Sequence, residues 1–191
     1  RIAEGVTEHR DAEQYQTVYA KTVGSAAAPT AGLHFTERLI SKLARKGVGM
    51  AAITLHIGTD TFRPIEADRL SDHNMVGEWA TVSTATADAV RKTRDRKGRV
   101  VAVGTSVTRT LESAANDRGE VSPMEGEITL FITPGYRFRA VDALITNFHP
   151  PRSTGLVLVR AFGGEAIPTL YQEALEKRYR LFSYGDAMLV L

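Results

Sequence analysis

Three of the five histidines, His34, His56 and His149, stand where an apolar segment gives way to glycine or proline punctuation. An imidazole placed there can act as general acid, general base or hydrogen-bond donor to a substrate heteroatom. A lone histidine beside an apolar run is more often structural, but three in punctuated loops point to a shared pocket. Metal binding is the sharper alternative. The chain has neither H-E-x-x-H nor a close histidine pair, so no metal is expected. A Ser153–His149–Asp142 triad can be drawn, yet Ser153 lacks the setting of a nucleophile elbow.

The second centre of chemistry is the run 99–109, where a β-branched stretch enters Gly104-Thr105-Ser106 and then a helical pattern. A helix start offers unpaired N–H groups and a positive dipole end to a carboxylate or phosphate. Arg109, one turn along, can add a bidentate contact. The plainer alternative has Thr105 or Ser106 capping the helix and Arg109 paired with Glu112 or Glu37; short hydroxyl caps are common, so the residues alone favour it. The run is no G-x-G-x-x-G fingerprint, so a dinucleotide cofactor is unsupported. Residues 91–99 form the one basic cluster, read either as a phosphate contact or, by preference, as a solvated helix end. Phe62, Trp79, Tyr136 and Phe138 can stack on bases, although most aromatics are core.

These residues need a scaffold, and the apolar period supplies one by switching between 3.6 and 2. Helices are predicted over 35–46, 84–97, 106–115 and 168–180, and strands over 50–57, 79–82, 99–103, 127–132, 143–148 and 188–191. Pro134-Gly135 marks a turn, and 154–162 fits either a buried helix or a strand. The alternation predicts an α/β fold: a layered mixed sheet with helices.

At 191 residues, 43% hydrophobic and 24% charged, the chain fits a single soluble globular domain. A net charge of +2 makes any nucleic-acid site a local patch. The absence of cysteine excludes disulfides and thiolate nucleophiles and fits a reducing cytoplasm. No apolar run is long enough to span a bilayer, so no membrane partner is expected. The chain opens on Arg1 rather than Met, which suggests a processed or truncated start.

Six motifs in order carry a family resemblance: 29–35 (Pro-Thr-Ala-Gly-Leu-His-Phe), 54–58 (Thr-Leu-His-Ile-Gly), 104–109 (Gly-Thr-Ser-Val-Thr-Arg), 146–149 (Thr-Asn-Phe-His), Ser153-Thr154, and 184–188 (Tyr-Gly-Asp-Ala-Met). Together they resemble the C-terminal portion of the S-adenosylmethionine:tRNA ribosyltransferase-isomerases of queuosine biosynthesis. Asp60 stands where that family usually has glycine, Val76 replaces a common histidine, and Pro150 follows His149 in place of leucine.

The resemblance implies that 1–191 is most of the larger α/β S-adenosylmethionine-binding domain, with the family's earlier segment and most of its small β-barrel absent. It implies transfer and isomerisation of the ribosyl group of S-adenosylmethionine, a consumed substrate, onto 7-aminomethyl-7-deazaguanine at the tRNA wobble position. The products are epoxyqueuosine, adenine and methionine. Under it, His34, His56 and His149 are candidate acids and bases. Thr30, Gly32, Gly58, Gly104, Thr105, Arg109, Glu112, Asn147, Ser153, Thr154 and Asp186 are candidate substrate contacts. The alternative is a non-catalytic nucleotide-binding module built on 104–109.

Overall fold

The computed structural model describes residues 14–58 and 63–191; Asp60 and Phe62 lie outside the described residues. Each helix forms where an amphipathic run meets a start and a stop. Thr36 accepts from the Leu39 N–H and opens α1 (Glu37–Arg45), and Gly47, at φ 77°, lets the chain turn away beyond it. Ser83 does the same for α2 (Thr84–Asp95), and Gly104 precedes α3 (Thr105–Ser113). The ambiguous run 154–162 is helical, as α4 (Thr154–Gly163). Ser153 caps it, and Leu158 and Val159 on one face are fully buried, which outweighs the weak helix preference of valine. α5 (Ala166–Glu176) follows directly and ends four residues before the predicted limit, because Arg178 takes a left-handed backbone at φ 57°.

The fold is α/β as expected, and its strands form two three-stranded sheets. In the first, β1 (Thr54–His56), β2 (Glu78–Val82) and β4 (Met124–Ile128) are antiparallel in that order. The second is mixed: β3 (Val101–Val103) runs parallel to the central β5 (Ala143–Asn147), and β6 (Ala187–Val190) runs antiparallel to it. The strand predicted over 127–132 lies earlier, at 124–128, because Gly126 at φ 154° pairs with Ala80 in the ladder. The 50–57 run pairs only over its last residues, at 54–56.

Ala102, Leu144 and Val190 lie side by side across the second sheet and face Leu111, Leu158, Val159 and Ile167 of the helices. Burying a leucine or isoleucine there contributes roughly 1.5–3 kcal/mol. This core fixes β5, and β5 carries the site. Among the described residues no helix is long and apolar enough to cross a membrane.

Candidate functional site

The parallel pair β3–β5 delivers two chain ends to one place. Its register, Val103 opposite Ile145, brings the Gly104 turn beside Thr146, and the Gly104 N–H donates to the Ile145 carbonyl at 2.8 Å. Gly104 has φ 103°, a left-handed backbone that favours glycine and redirects the chain into α3. No side chain caps this helix; the Thr108 and Thr110 hydroxyls bond back to the carbonyls of Gly104 and Ser106. The capping role expected of Thr105 or Ser106 is therefore not what the structure shows. The first-turn N–H groups keep the positive end of the dipole open to an anion. Ligands of open α/β sheets sit at such carboxyl ends of parallel strands.

Asn147, the last residue of β5, is the hub. Its Oδ1 accepts from Thr30 Oγ1 at 3.0 Å, and its Nδ2 donates to the carbonyls of Gly185 at 3.3 Å and Asp186 at 3.4 Å. His34 Nε2 donates to the same Gly185 carbonyl at 3.1 Å, since a carbonyl oxygen can only accept. Thr30 and His34 bound a five-residue 3₁₀ turn, so one short element presents both. Gly32 inside that turn meets Tyr19: a Cβ at Gly32 would lie 2.0 Å from the Tyr19 hydroxyl. Burial pushes the Tyr19 hydroxyl above its usual range. Asp186 accepts from the Arg180 backbone and guanidinium, both at 2.8 Å. Those bonds hold its carboxyl below the usual range, with His34 adding a further pull.

His149 sits two residues beyond Asn147. Its Nε2 meets Thr146 Oγ1 at 2.8 Å, and its backbone N–H donates to Tyr171 Oη at 2.9 Å. A Cβ at Gly155 would fall 2.4 Å from His149 Nδ1, so only glycine leaves room for the ring against α4. Burial lowers the His149 pKa to about 4, so the ring is neutral at physiological pH. His56 belongs to the other sheet, in register with Trp79; its Nδ1 is buried without a partner among the described residues and lies close against Gly24. The three histidines thus have separate neighbours.

Residues 2–190 match the family described as queuosine biosynthesis protein. This chain belongs to that family. It is 58% identical over 182 residues to an S-adenosylmethionine:tRNA ribosyltransferase-isomerase of Anaeromyxobacter dehalogenans, covering 95% of this chain and 52% of the relative. The same enzyme of Coxiella burnetii is 54% identical over 181 residues, covering 94% and 52%. A crystal structure of the S-adenosylmethionine tRNA ribosyltransferase of Thermotoga maritima superposes with TM-score 0.70 at 46% identity, over 84% of this chain and 51% of that one. The chain spans about half the length of the relatives it matches.

Several expected contacts have other partners. Arg109 is 6% exposed and pairs with Glu78 of β2 at 2.7 Å, not with Glu112 or Glu37, while its Nε donates to the Leu130 carbonyl. Burial pulls the guanidinium below its usual range and Glu78 opposes that. Glu112, 3% exposed, accepts from the N–H groups of Arg139, Ala140 and Val141 and from Tyr136 Oη. Ser153 caps α4 and donates to the Pro150 carbonyl, and Thr154 is the first residue of that helix. The Ser153–His149–Asp142 arrangement does not form, because Asp142 is taken by Arg94 and the Val100 N–H. Gly58 is exposed, next to the undescribed 59–62.

Of the aromatics, Tyr136 and Phe138 stack edge-on in the core margin, while Trp79 is half exposed on β2. Among the described residues, no group of three or more His, Cys, Asp or Glu is placed to hold a metal ion. Sequence reasoning missed Glu78, Tyr19, Gly155, Tyr171 and Gly185. Gly185 lay inside the 184–188 motif, and Glu78 left a signal of its own as an acid opening an otherwise apolar strand.

Proposed function

We propose that this chain is the larger part of the S-adenosylmethionine-binding α/β domain of a tRNA ribosyltransferase-isomerase. The reaction passes the ribosyl group of S-adenosylmethionine to the aminomethyl nitrogen of 7-aminomethyl-7-deazaguanine at the wobble position, in the cytoplasm where tRNA is found. Epoxyqueuosine forms, and adenine and methionine leave. The observation that carries this reading is the meeting of Thr30, His34, Asn147 and Gly185 beside the uncapped start of α3. Motifs far apart in sequence, four of the six, become one end of one sheet.

In this reading the methionine carboxylate sits on the first-turn N–H groups at Thr105 and Ser106, and Asn147 and Thr30 hold the ribosyl or adenine edge. His34, exposed and hydrogen-bonded to Gly185, is the candidate to take the proton from the carbon beside the sulfonium. His149 is neutral, so it orients Thr146 rather than donating a proton as an imidazolium. Arg109, Glu112 and Ser153 position α3, the 139–141 segment and α4 in place of touching substrate. Asp186 fixes the 180–186 turn that carries the Gly185 carbonyl. The wobble base must leave its stack to enter, as base-modifying enzymes require.

Incubating the full-length protein with S-adenosylmethionine and precursor tRNA tests this. Adenine release matched by ribosyl label in the tRNA is expected. Ligand binding without release of adenine would instead favour a non-catalytic nucleotide-binding module.

A further inference from the structure

The basic run at the end of α2 is only partly accounted for by the fold. Of its six cations, Arg91 pairs with Asp88 and Arg94 with Asp142, both at 2.7 Å. Lys92, Arg96, Lys97 and Arg99 are exposed and make no ion pair among the described residues, and Asp95 is the one acid in the run. Cations in a last helical turn complement the dipole, but that effect fades beyond the turn. Lys97 and Arg99 lie past the end of α2 at Asp95. Lys97 moreover takes a left-handed backbone, φ 56°, at the position after the helix where glycine is unstrained. Gly98 follows it, held close to Thr93 with its N–H on the Thr93 carbonyl. A lysine is thus kept where the backbone alone would prefer glycine.

The position of this patch relative to the site gives it a use. Arg99 lies two residues before the start of β3, whose far end is the Gly104 turn. At about 3.3 Å per residue, five residues of extended chain separate patch and site by roughly 16 Å. That distance lies within one arm of a folded RNA. Extending the proposed reaction, and resting on it, we infer that Arg96, Lys97 and Arg99 form a docking surface for the tRNA sugar–phosphate backbone, holding the anticodon arm while its wobble base reaches the Asn147 end of β5. Contacts of this kind are indifferent to base sequence and release counterions, so they set affinity and its salt dependence rather than chemistry.

The test compares the full-length protein with its Arg96→Gln, Lys97→Gln, Arg99→Gln triple variant. Binding of a labelled precursor tRNA is titrated between 50 and 200 mM salt, alongside S-adenosylmethionine affinity and the rate of adenine release at saturating tRNA. The inference expects tRNA affinity to fall at least tenfold at the lowest salt. The slope of log K against log salt should flatten by about 2–3, at roughly 0.7–0.9 per lost contact. Affinity for S-adenosylmethionine and the saturated rate should hold. Unchanged tRNA affinity and slope overturn the docking surface while leaving the proposed reaction standing. An equal loss of S-adenosylmethionine affinity overturns it too, since the patch would then be supporting the site. If the unaltered protein releases no adenine, the reaction itself fails, and that outcome is separate from the variant's behaviour.

Discussion

Thr30 and Asn147 are 117 residues apart in the chain, and a 3.0 Å hydrogen bond from Thr30 Oγ1 to Asn147 Oδ1 joins them. It ties the 3₁₀ turn that carries His34 to the end of the strand that carries the site. Thr30→Val keeps the shape and removes the donor, leaving the buried Asn147 carbonyl oxygen unpaired at a cost of about 1–3 kcal/mol. The expected result is a fall in kcat/KM of roughly 5–100-fold, with an unfolding midpoint much less affected than the rate. Steady-state adenine release with parallel urea unfolding checks this.

The Arg109–Glu78 pair joins α3 to β2, and so one sheet to the other. Removing one partner of a buried pair strands the other charge and costs about 3–5 kcal/mol. Glu78→Gln and Arg109→Met should each lower stability by that order. The Glu78→Leu, Arg109→Met double variant should recover most of the loss, because neither charge is then left buried alone. Denaturant unfolding of the four proteins decides it. If instead Arg109 holds the methionine carboxylate, Arg109→Met abolishes S-adenosylmethionine binding even in a stability-restored background.

Gly155 tests how closely the His149 ring is seated. Alanine is ordinarily the better helix former by about 0.5–1 kcal/mol. Here its Cβ would fall 2.4 Å from the ring, so Gly155→Ala should destabilise the protein and reduce activity. In a His149→Ala background the same substitution should become neutral or stabilising. Thermal unfolding of the cycle reads the coupling directly.

The buried His149 also makes stability depend on pH. Its pKa falls from 6.5 to about 4 on folding, so between those values the unfolded chain binds more protons. Stability contributed by keeping this ring neutral is therefore present above about pH 6.5 and is lost as pH falls towards 4. Urea midpoints measured from pH 7 to pH 4 should decline more steeply for the unaltered protein than for His149→Gln.

Much of this architecture was legible because local rules acted alone. Thr36, Ser83 and Ser153 cap helices that begin where the apolar period begins, and the Gly104 turn between β3 and α3 is visible as β-branched residues running into glycine. The six motifs named the family, and the candidates Thr30, His34, Asn147 and the Gly104 turn come together. What stayed hidden depends on distant partners. The residues alone pair Arg109 with Glu112 or Glu37, because its actual partner Glu78, 31 residues away, announces itself only when β2 packs on α3. Glu112 is offered there as a partner for Arg109, but its own partners include backbone N–H groups, which no side-chain pattern records. The division into two sheets was likewise illegible, since period 2 marks a strand but not its neighbour.

The most direct measurement is a crystal structure of the full-length protein with S-adenosylmethionine bound. The account predicts its carboxylate within about 3.2 Å of the backbone N–H groups at Thr105 or Ser106, and its ribosyl or adenine edge against Asn147, Thr30 or His34. A molecule seated elsewhere, touching none of these residues, contradicts it.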